Sequence, residues 1–163
     1  MLASSRLPSL GSRGEGWFAL QLALMALVGL SALTTVYWPD SVAGTLTTVG
    51  LILIAAGLVL LVAAAISLVS ARAMTALPRP RTGSRVAEGG IYRVVRHPVY
   101  GAVLLIAIGW SLAESPLGLI PAALLAVVFD LKARLEEAWL EERRPEYAAY
   151  REQTPRRFVP GVY

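Results

Sequence analysis

The stretch AGTLTTVGLILIAAGLVLLVAAAISLVSA, Ala43 to Ala71, contains no charged residue and decides the class of fold. About 20 apolar residues in a row are enough for a helix to cross the hydrocarbon core of a bilayer, and this run exceeds that. Gly50, Gly57 and Ala64 recur every seven residues within it and so share one helix face. Small residues in such a stripe let a neighbouring helix approach closely, which is a packing role.

Upstream lies a second apolar run, Trp17 to Val36, closed by Tyr37-Trp38-Pro39-Asp40. Its length suits a transmembrane helix, and the Tyr-Trp pair reads as an interfacial anchor. Arg6 and Arg13 precede it, as in a signal peptide, but the apolar core is too long for one and further spans follow. Downstream, Arg72 to His97 is hydrophilic, with arginines at 72, 79, 81, 85, 93 and 96 opposed only by Glu88. Pro78, Pro80, Gly83, Gly89 and Gly90 rule out a long regular helix there.

Two shorter apolar runs follow, Val99 to Ala113 and Leu117 to Phe129, joined by Glu114-Ser115-Pro116. So short a connection implies an antiparallel helical hairpin, with Pro121 as a candidate kink. Beyond Phe129 the helical pattern continues, richly charged, as DLKARLEEAWLEERRPEYAAYRE, and Asp130 and Arg134 stand at helical pair spacing.

Composition agrees with a membrane protein. Of 163 residues, 56% are hydrophobic and 16% charged, against about 25% charged in soluble domains; the mean hydropathy is +0.60. With no cysteine and one histidine, disulfides, thiolate chemistry and multi-His metal centres are excluded, so no metal is expected. The pI near 9.9 reflects loop arginines that set topology rather than a nucleic-acid partner. Asp40 and Glu114 occupy connections free of Lys and Arg. The N-terminus, the Arg72–His97 loop and the C-terminal tail hold all 15 basic residues.

By the positive-inside rule the chain is all-α and polytopic: four transmembrane helices, the last two a short hairpin, with a cytoplasmic C-terminal helix and both termini cytoplasmic. We read one membrane domain over 1–163: a flexible N-terminus at 1–15, two spans in 16–71, a cytoplasmic Arg-rich loop at 72–97, and the hairpin with the C-terminal segment at 98–163. The Arg-rich, Ala-rich composition points to a bacterial inner membrane.

The hairpin runs are short. Val99 to Ala113 makes roughly 22 Å of helix, against a hydrocarbon core of about 30 Å. Polar residues at the cytoplasmic ends must therefore lie at membrane depth. Those ends carry Arg93, Arg96 and His97 on one side, and Asp130, Arg134, Glu136 and Glu137 on the other. Ionisable groups at that depth pair or line a wet cavity and are functional candidates. Pro98 fits the first position of the third helix.

Singly, each motif has a bland reading: Arg96-His97 as a structural hydrogen-bonder, Glu136-Glu137 as a solvated face, Tyr147 and Tyr150 as interfacial anchors. Their combination is more specific: Gly90-x-Tyr92, Arg96-His97-Pro98-x-Tyr100, the hairpin, Glu136-Glu137-x-x-Leu140, Tyr147-x-x-Tyr150, and Pro155-Arg156-Arg157-Phe158-x-Pro160-Gly161. In this order the chain, from Gly89 to Gly161, resembles the isoprenylcysteine carboxyl methyltransferases, within a wider group that includes phospholipid N-methyltransferases.

The resemblance implies S-adenosyl-L-methionine as cofactor, bound in a cytoplasm-facing pocket made by the Arg96-His97-Pro98 loop, the hairpin and the C-terminal segment. Tyr92, His97, Tyr100 and Glu136 or Glu137 would contact it, and Leu140 would border it. Arg156 or Arg157 would lie near the methyl acceptor. The pattern departs at one point: the family's glycine comes two residues after the motif tyrosine, whereas Gly101 follows Tyr100 directly and Ala102 takes the usual place. The residue types suit the chemistry, since histidine, arginine and a helix N-terminus hold a carboxylate and a glutamate takes an ammonium or ribose hydroxyls. A carboxylate acceptor needs no general base, whereas an amine would lose its proton to Glu136, Glu137 or His97.

The expected function is methyl transfer to a lipophilic acceptor from the bilayer, either a prenylcysteine-like or other hydrophobic acid or a phospholipid amine, with membrane lipids as the other partners. Two rivals are an NADPH-dependent membrane reductase of related architecture, and a non-enzymatic scaffold whose arginine loop binds anionic lipid heads at about 1 kcal/mol per basic residue.

Overall fold

The computed structural model describes residues 8, 10–11, 14–71 and 87–161. The flexible N-terminus and most of the arginine loop, expected at 1–15 and 72–97, lie largely outside these residues. Among the described residues five α-helices form: α1 (Glu15–Leu30), α2 (Asp40–Ala71), α3 (Pro98–Glu114), α4 (Leu119–Arg143) and α5 (Tyr147–Gln153). Among the described residues, three helical segments are long and apolar enough to cross a membrane: Glu15–Leu33, Asp40–Ala71 and Pro116–Arg143. At 17 residues, α3 is a shorter apolar helix.

The small-residue stripe of α2 is its contact with α3. A Cβ added at Gly57 would lie 2.7 Å from Ile106 Cγ1 and 2.8 Å from the Ala102 carbonyl oxygen. Gly50 meets Gly109 across the same seam, where a Cβ on Gly109 would stand 2.9 Å from Ile54 Cγ1. These contacts run in opposite chain directions, so α2 and α3 are antiparallel and their backbones nearly touch. Further along, Ala64 is fully buried and packs with Ala87 and Tyr92. Elsewhere α2 shows Leu51, Ile52, Leu58, Val59, Val62, Ile66 and Val69 outward, the surface a bilayer covers.

The hairpin forms as its short turn requires. Ser115 Oγ accepts from Leu117 N–H at 3.4 Å and starts the turn, and Gly118 sits against Ser111 and Ser31. The other side of α4 packs on α1: Trp17, Leu24 and Val28 join Ala122, Leu125, Val128 and Phe129 in the main core. The hairpin end is tied by Trp38 Nε1 donating to the Ser111 carbonyl at 3.2 Å and Ser115 Oγ to that of Val36 at 2.7 Å.

Three boundaries differ from the sequence reading. The first helix tightens into a 3₁₀ turn at Ser31–Leu33 and ends there rather than at Val36, with Thr34 extended. Pro121 falls in the first turn of α4, where no intrahelical bond is lost, so it imposes no kink. The charged continuation after Phe129 is not one helix: α4 stops at Arg143, because Pro145 disfavours helical geometry at Arg144 (φ −140°, ψ 89°), and α5 starts anew.

Candidate functional site

The site lies where α3 begins. His97 precedes the helix in a non-helical conformation and Pro98 occupies its first turn. The N–H groups of Arg96 and His97, which no helix satisfies, donate to the Arg156 and Arg157 carbonyls at 3.0 and 2.7 Å. The C-terminal tail is thus strapped along the loop by two backbone bonds. Gly101 makes room for it: a Cβ there would overlap the Phe158 carbonyl. This accounts for the shifted glycine. Ala102, in the family's usual glycine place, is fully buried, with its carbonyl in the α2 seam.

Across the hairpin, Glu137 is the hub. Its Oε1 accepts from Arg96 Nε at 2.9 Å and lies 3.1 Å from His97 Nε2, and its Oε2 accepts from Arg157 Nη2 at 3.0 Å. The carboxylate side chain is 4% exposed. Arg96 also donates to the Thr154 carbonyl. Arg157 reaches Asp130 Oδ1 at 2.8 Å, and Arg134 donates to the other Asp130 oxygen at 2.6 Å. Charge-assisted bonds of this kind are the strong ones, and Glu137 uses both oxygens in them.

Glu136 is more lightly engaged. Tyr100 Oη donates to its Oε2 at 3.0 Å, and His97 Nδ1 lies 3.8 Å from the same oxygen. His97 therefore sits between the two glutamates, one ring nitrogen toward each. Its ring stacks on Tyr100 (centroids 5.3 Å apart), and Tyr100 stacks on Phe129 at 4.6 Å. The consecutive glutamates have different work, Glu137 locking two guanidinium groups and the His97 ring and Glu136 keeping acceptor capacity.

One flank is aromatic. Tyr150 Oη donates to the Tyr92 carbonyl at 2.6 Å, and Leu140, Tyr147 and Tyr150 pack together. Burial raises the phenol pKa values of Tyr92, Tyr147 and Tyr150 above the ordinary range; Glu136 adds to this at Tyr92, and Glu137 at Tyr147 and Tyr150. All three stay neutral donors near pH 7.

Of the residues singled out in the sequence, Arg96, His97, Tyr100, Glu136, Glu137 and Arg157 converge in one network. Pro98 lies buried beside it, and Tyr92 and Leu140 belong to the flank. Arg156 stands apart, its side chain exposed and its carbonyl holding the loop. Two residues escaped the sequence reading, Lys132 and Gln21. The lysine is 1% exposed and donates to Gln21 Oε1 at 2.7 Å. The signal available was Gln21 itself, the one amide inside the first apolar run.

A family model described as phospholipid methyltransferase matches residues 47–144, more than half of the 163-residue chain. The chain belongs to that family. No curated protein matches it. Membership in the phospholipid methyltransferases gives methyl transfer as the general activity, and three helical segments among the described residues are of membrane length. The matched segment runs from α2 to the end of α4 and contains the loop, Tyr100 and both glutamates. Helix α1, α5 and the strapped tail lie outside it.

Proposed function

We propose that the protein transfers a methyl group from S-adenosyl-L-methionine to a lipophilic acceptor at the cytoplasmic membrane face. The observation that carries this reading is the pairing of Glu136 and Glu137 around His97: a carboxylate with acceptor capacity to spare, beside one already locked by cations. That donor set fits a cosubstrate carrying an ammonium, hydroxyls, a carboxylate and a sulfonium. Glu136 takes the ammonium or ribose hydroxyls, the Tyr92 ring favours the sulfonium by cation–π contact worth about 0.5–2 kcal/mol, and Leu140 borders the apolar part. Tyr100, stacked between His97 and Phe129, positions Glu136 through its hydroxyl. Arg96, His97 and Pro98 form the wall, with Glu137 positioning it. Of the two tail arginines, Arg157 faces the acceptor side and Arg156 fixes the loop through its backbone.

When bound, S-adenosyl-L-methionine supplies an electrophilic methyl group. The residues of the chain align the acceptor with it, exclude water and, for an amine, remove a proton. Alignment supplies up to about 7–11 kcal/mol in favourable systems. A hydrophobic carboxylic acid reacts as its anion and needs no base. The family match favours a second acceptor, a phospholipid amine, whose proton goes to Glu136 with His97 adjacent to pass it on. In this reading the chain is one domain that crosses the inner membrane four times, with α3 as the short span and both termini cytoplasmic.

The test is equilibrium binding of labelled S-adenosyl-L-methionine to the purified full-length protein, with NADPH as comparison. Saturable binding, lost at least tenfold in Glu136→Gln, is expected, together with label transfer into a lipid of native membranes. Binding of NADPH without S-adenosyl-L-methionine overturns the reading in favour of a reductase.

A further inference from the structure

The methyl-transfer reading leaves Lys132 unused. This lysine sits roughly 20 Å along α4 from Leu119, with 1% of its surface exposed. Burying an ammonium costs several kcal/mol, and inside a membrane such a group meets a partner or marks a substrate path. Among the described residues no carboxylate lies within ion-pair distance of it. Its hydrogen bond goes to a neutral amide, Gln21 on α1, and the Tyr100 and Phe18 rings lie 5.0 and 5.8 Å from its nitrogen. An ammonium has three N–H donors, so two are left over.

Gln21 has the same surplus. Its carbonyl serves Lys132, while its NH₂ meets only the Met25 thioether at 3.9 Å, a weak acceptor on the exposed side. Hydrocarbon offers no acceptor at all. Phe18 and Gln21 are each half-buried, so they form the partition between the ammonium and the bilayer. Behind the ammonium stands Tyr100, which holds Glu136.

We propose that Lys132 and Gln21 form an anion subsite that takes the acidic head of a lipophilic acceptor from the bilayer and holds it beside Tyr100. The ligand is a carboxylate or phosphodiester on a long apolar chain. Calling it the acceptor rests on the methyl-transfer reading; anion binding itself does not. Lys132 lies within the family-matched segment and Gln21, on α1, outside it.

The experiment is photolabelling of the full-length protein in maltoside micelles, without S-adenosyl-L-methionine. The probes are diazirine palmitate, diazirine phosphatidylethanolamine and, as neutral control, diazirine hexadecanol. Saturable labelling of α1 and α4 peptides by an anionic probe is expected. It should fall at least tenfold in Lys132→Met and stay within threefold of wild type in Lys132→Arg. Labelling by palmitate alone assigns the carboxylate, by the phospholipid alone the phosphodiester, and by both the shared chemistry. Gln21→Leu, which keeps the ammonium, should weaken labelling severalfold and serves as the second variant if Lys132→Met fails to fold. In the transfer assay, Lys132→Met raises the acceptor KM at least tenfold with kcat and cofactor affinity within twofold. Equal labelling by hexadecanol, or undiminished labelling in Lys132→Met, overturns the subsite, whatever the outcome of cofactor binding.

Discussion

Replacing Glu137 by Gln is the most informative single perturbation. The change keeps the shape of the side chain and removes the charge that Arg96, His97 and Arg157 face at 2.9, 3.1 and 3.0 Å. The Glu137 and Arg96 side chains are 4% and 5% exposed, so water cannot replace the lost carboxylate. Breaking a buried ion pair by removing one partner costs about 3–5 kcal/mol, because the remaining charge is left buried. For a chain of this length each kcal/mol moves the melting temperature by about 2–4 °C. Glu137→Gln should therefore lower Tm by about 6–20 °C in detergent, followed by helical circular dichroism.

The control is Asp130→Asn. Asp130 pairs with Arg157 and Arg134, and the three side chains are 24%, 19% and 54% exposed; such pairs contribute about 0–1 kcal/mol each, which predicts a shift of at most about 8 °C. If Glu137→Gln shifts Tm no more than Asp130→Asn does, the hub reasoning is wrong and these contacts are surface ornament. Cofactor binding should weaken along with stability in Glu137→Gln, whereas in Glu136→Gln binding is lost with Tm nearly intact.

Gly101→Ala should loosen the tail, since its Cβ would overlap the Phe158 carbonyl; trypsin should then cleave after Arg156 or Arg157 at least tenfold faster, and an unchanged rate would refute the strap. Tyr150→Phe leaves the Tyr92 carbonyl without its 2.6 Å donor, a loss of about 1–3 kcal/mol in thermal unfolding. Burial raises the Tyr92, Tyr147 and Tyr150 pKa values, so their stabilising share is complete below the unfolded value of about 10 and is lost as pH rises toward the folded values. Tyr150→Phe should accordingly flatten the alkaline fall in Tm. Finally, the chain has no cysteine, so single cysteines report topology cleanly: Asp40→Cys and Glu114→Cys should react with an impermeant maleimide from outside the cell, and Gln153→Cys only in inside-out vesicles.

The elements were legible where one chemistry filled a whole segment. The uncharged run at Ala43–Ala71 is α2 to its last residue, and Glu114-Ser115-Pro116 marks the turn between α3 and α4. Helix ends were harder. Apolar residues continue to Val36, but α1 stops sooner because its end must meet the hairpin turn, where Gly118 lies against Ser31 and Ser115 Oγ bonds the Val36 carbonyl. In the site, residue types were readable and their division of labour was not. Neighbours in a helix point about 100° apart, so only packing decides which of Glu136 and Glu137 meets Arg96; in the non-helical tail, only docking on the loop decides which of Arg156 and Arg157 turns inward. Gln21 stood out as the one amide of its apolar run, but its pairing with Lys132 was out of reach, since 111 residues separate them.

The shortness of α3 explains why a polar site can exist at this depth. Helix α2 has 32 residues and α3 has 17, about 48 Å against about 25 Å. Near the hairpin turn the two are pinned together, with Gly50 beside Gly109 and Thr47 Oγ1 bonding the Ala113 carbonyl at 3.5 Å. With that register α2 overruns α3 at both ends: residues 40–46 extend past the hairpin turn, and Leu68 and Ala71 extend past the start of α3 at Pro98. There Ala64, Leu68 and Ala71 share a cluster with Ala87, Ile91, Tyr92 and Val99, the last in the first turn of α3. The volume a full-length α3 would fill is taken by the loop and the strapped tail, whose carbonyls and arginines provide the polar groups that a helix would bury in its own hydrogen bonds. Starting α3 at Pro98 is thus what creates the site: the helix ends early, and Arg96, His97 and Arg157 are brought to Glu137 in the space it leaves.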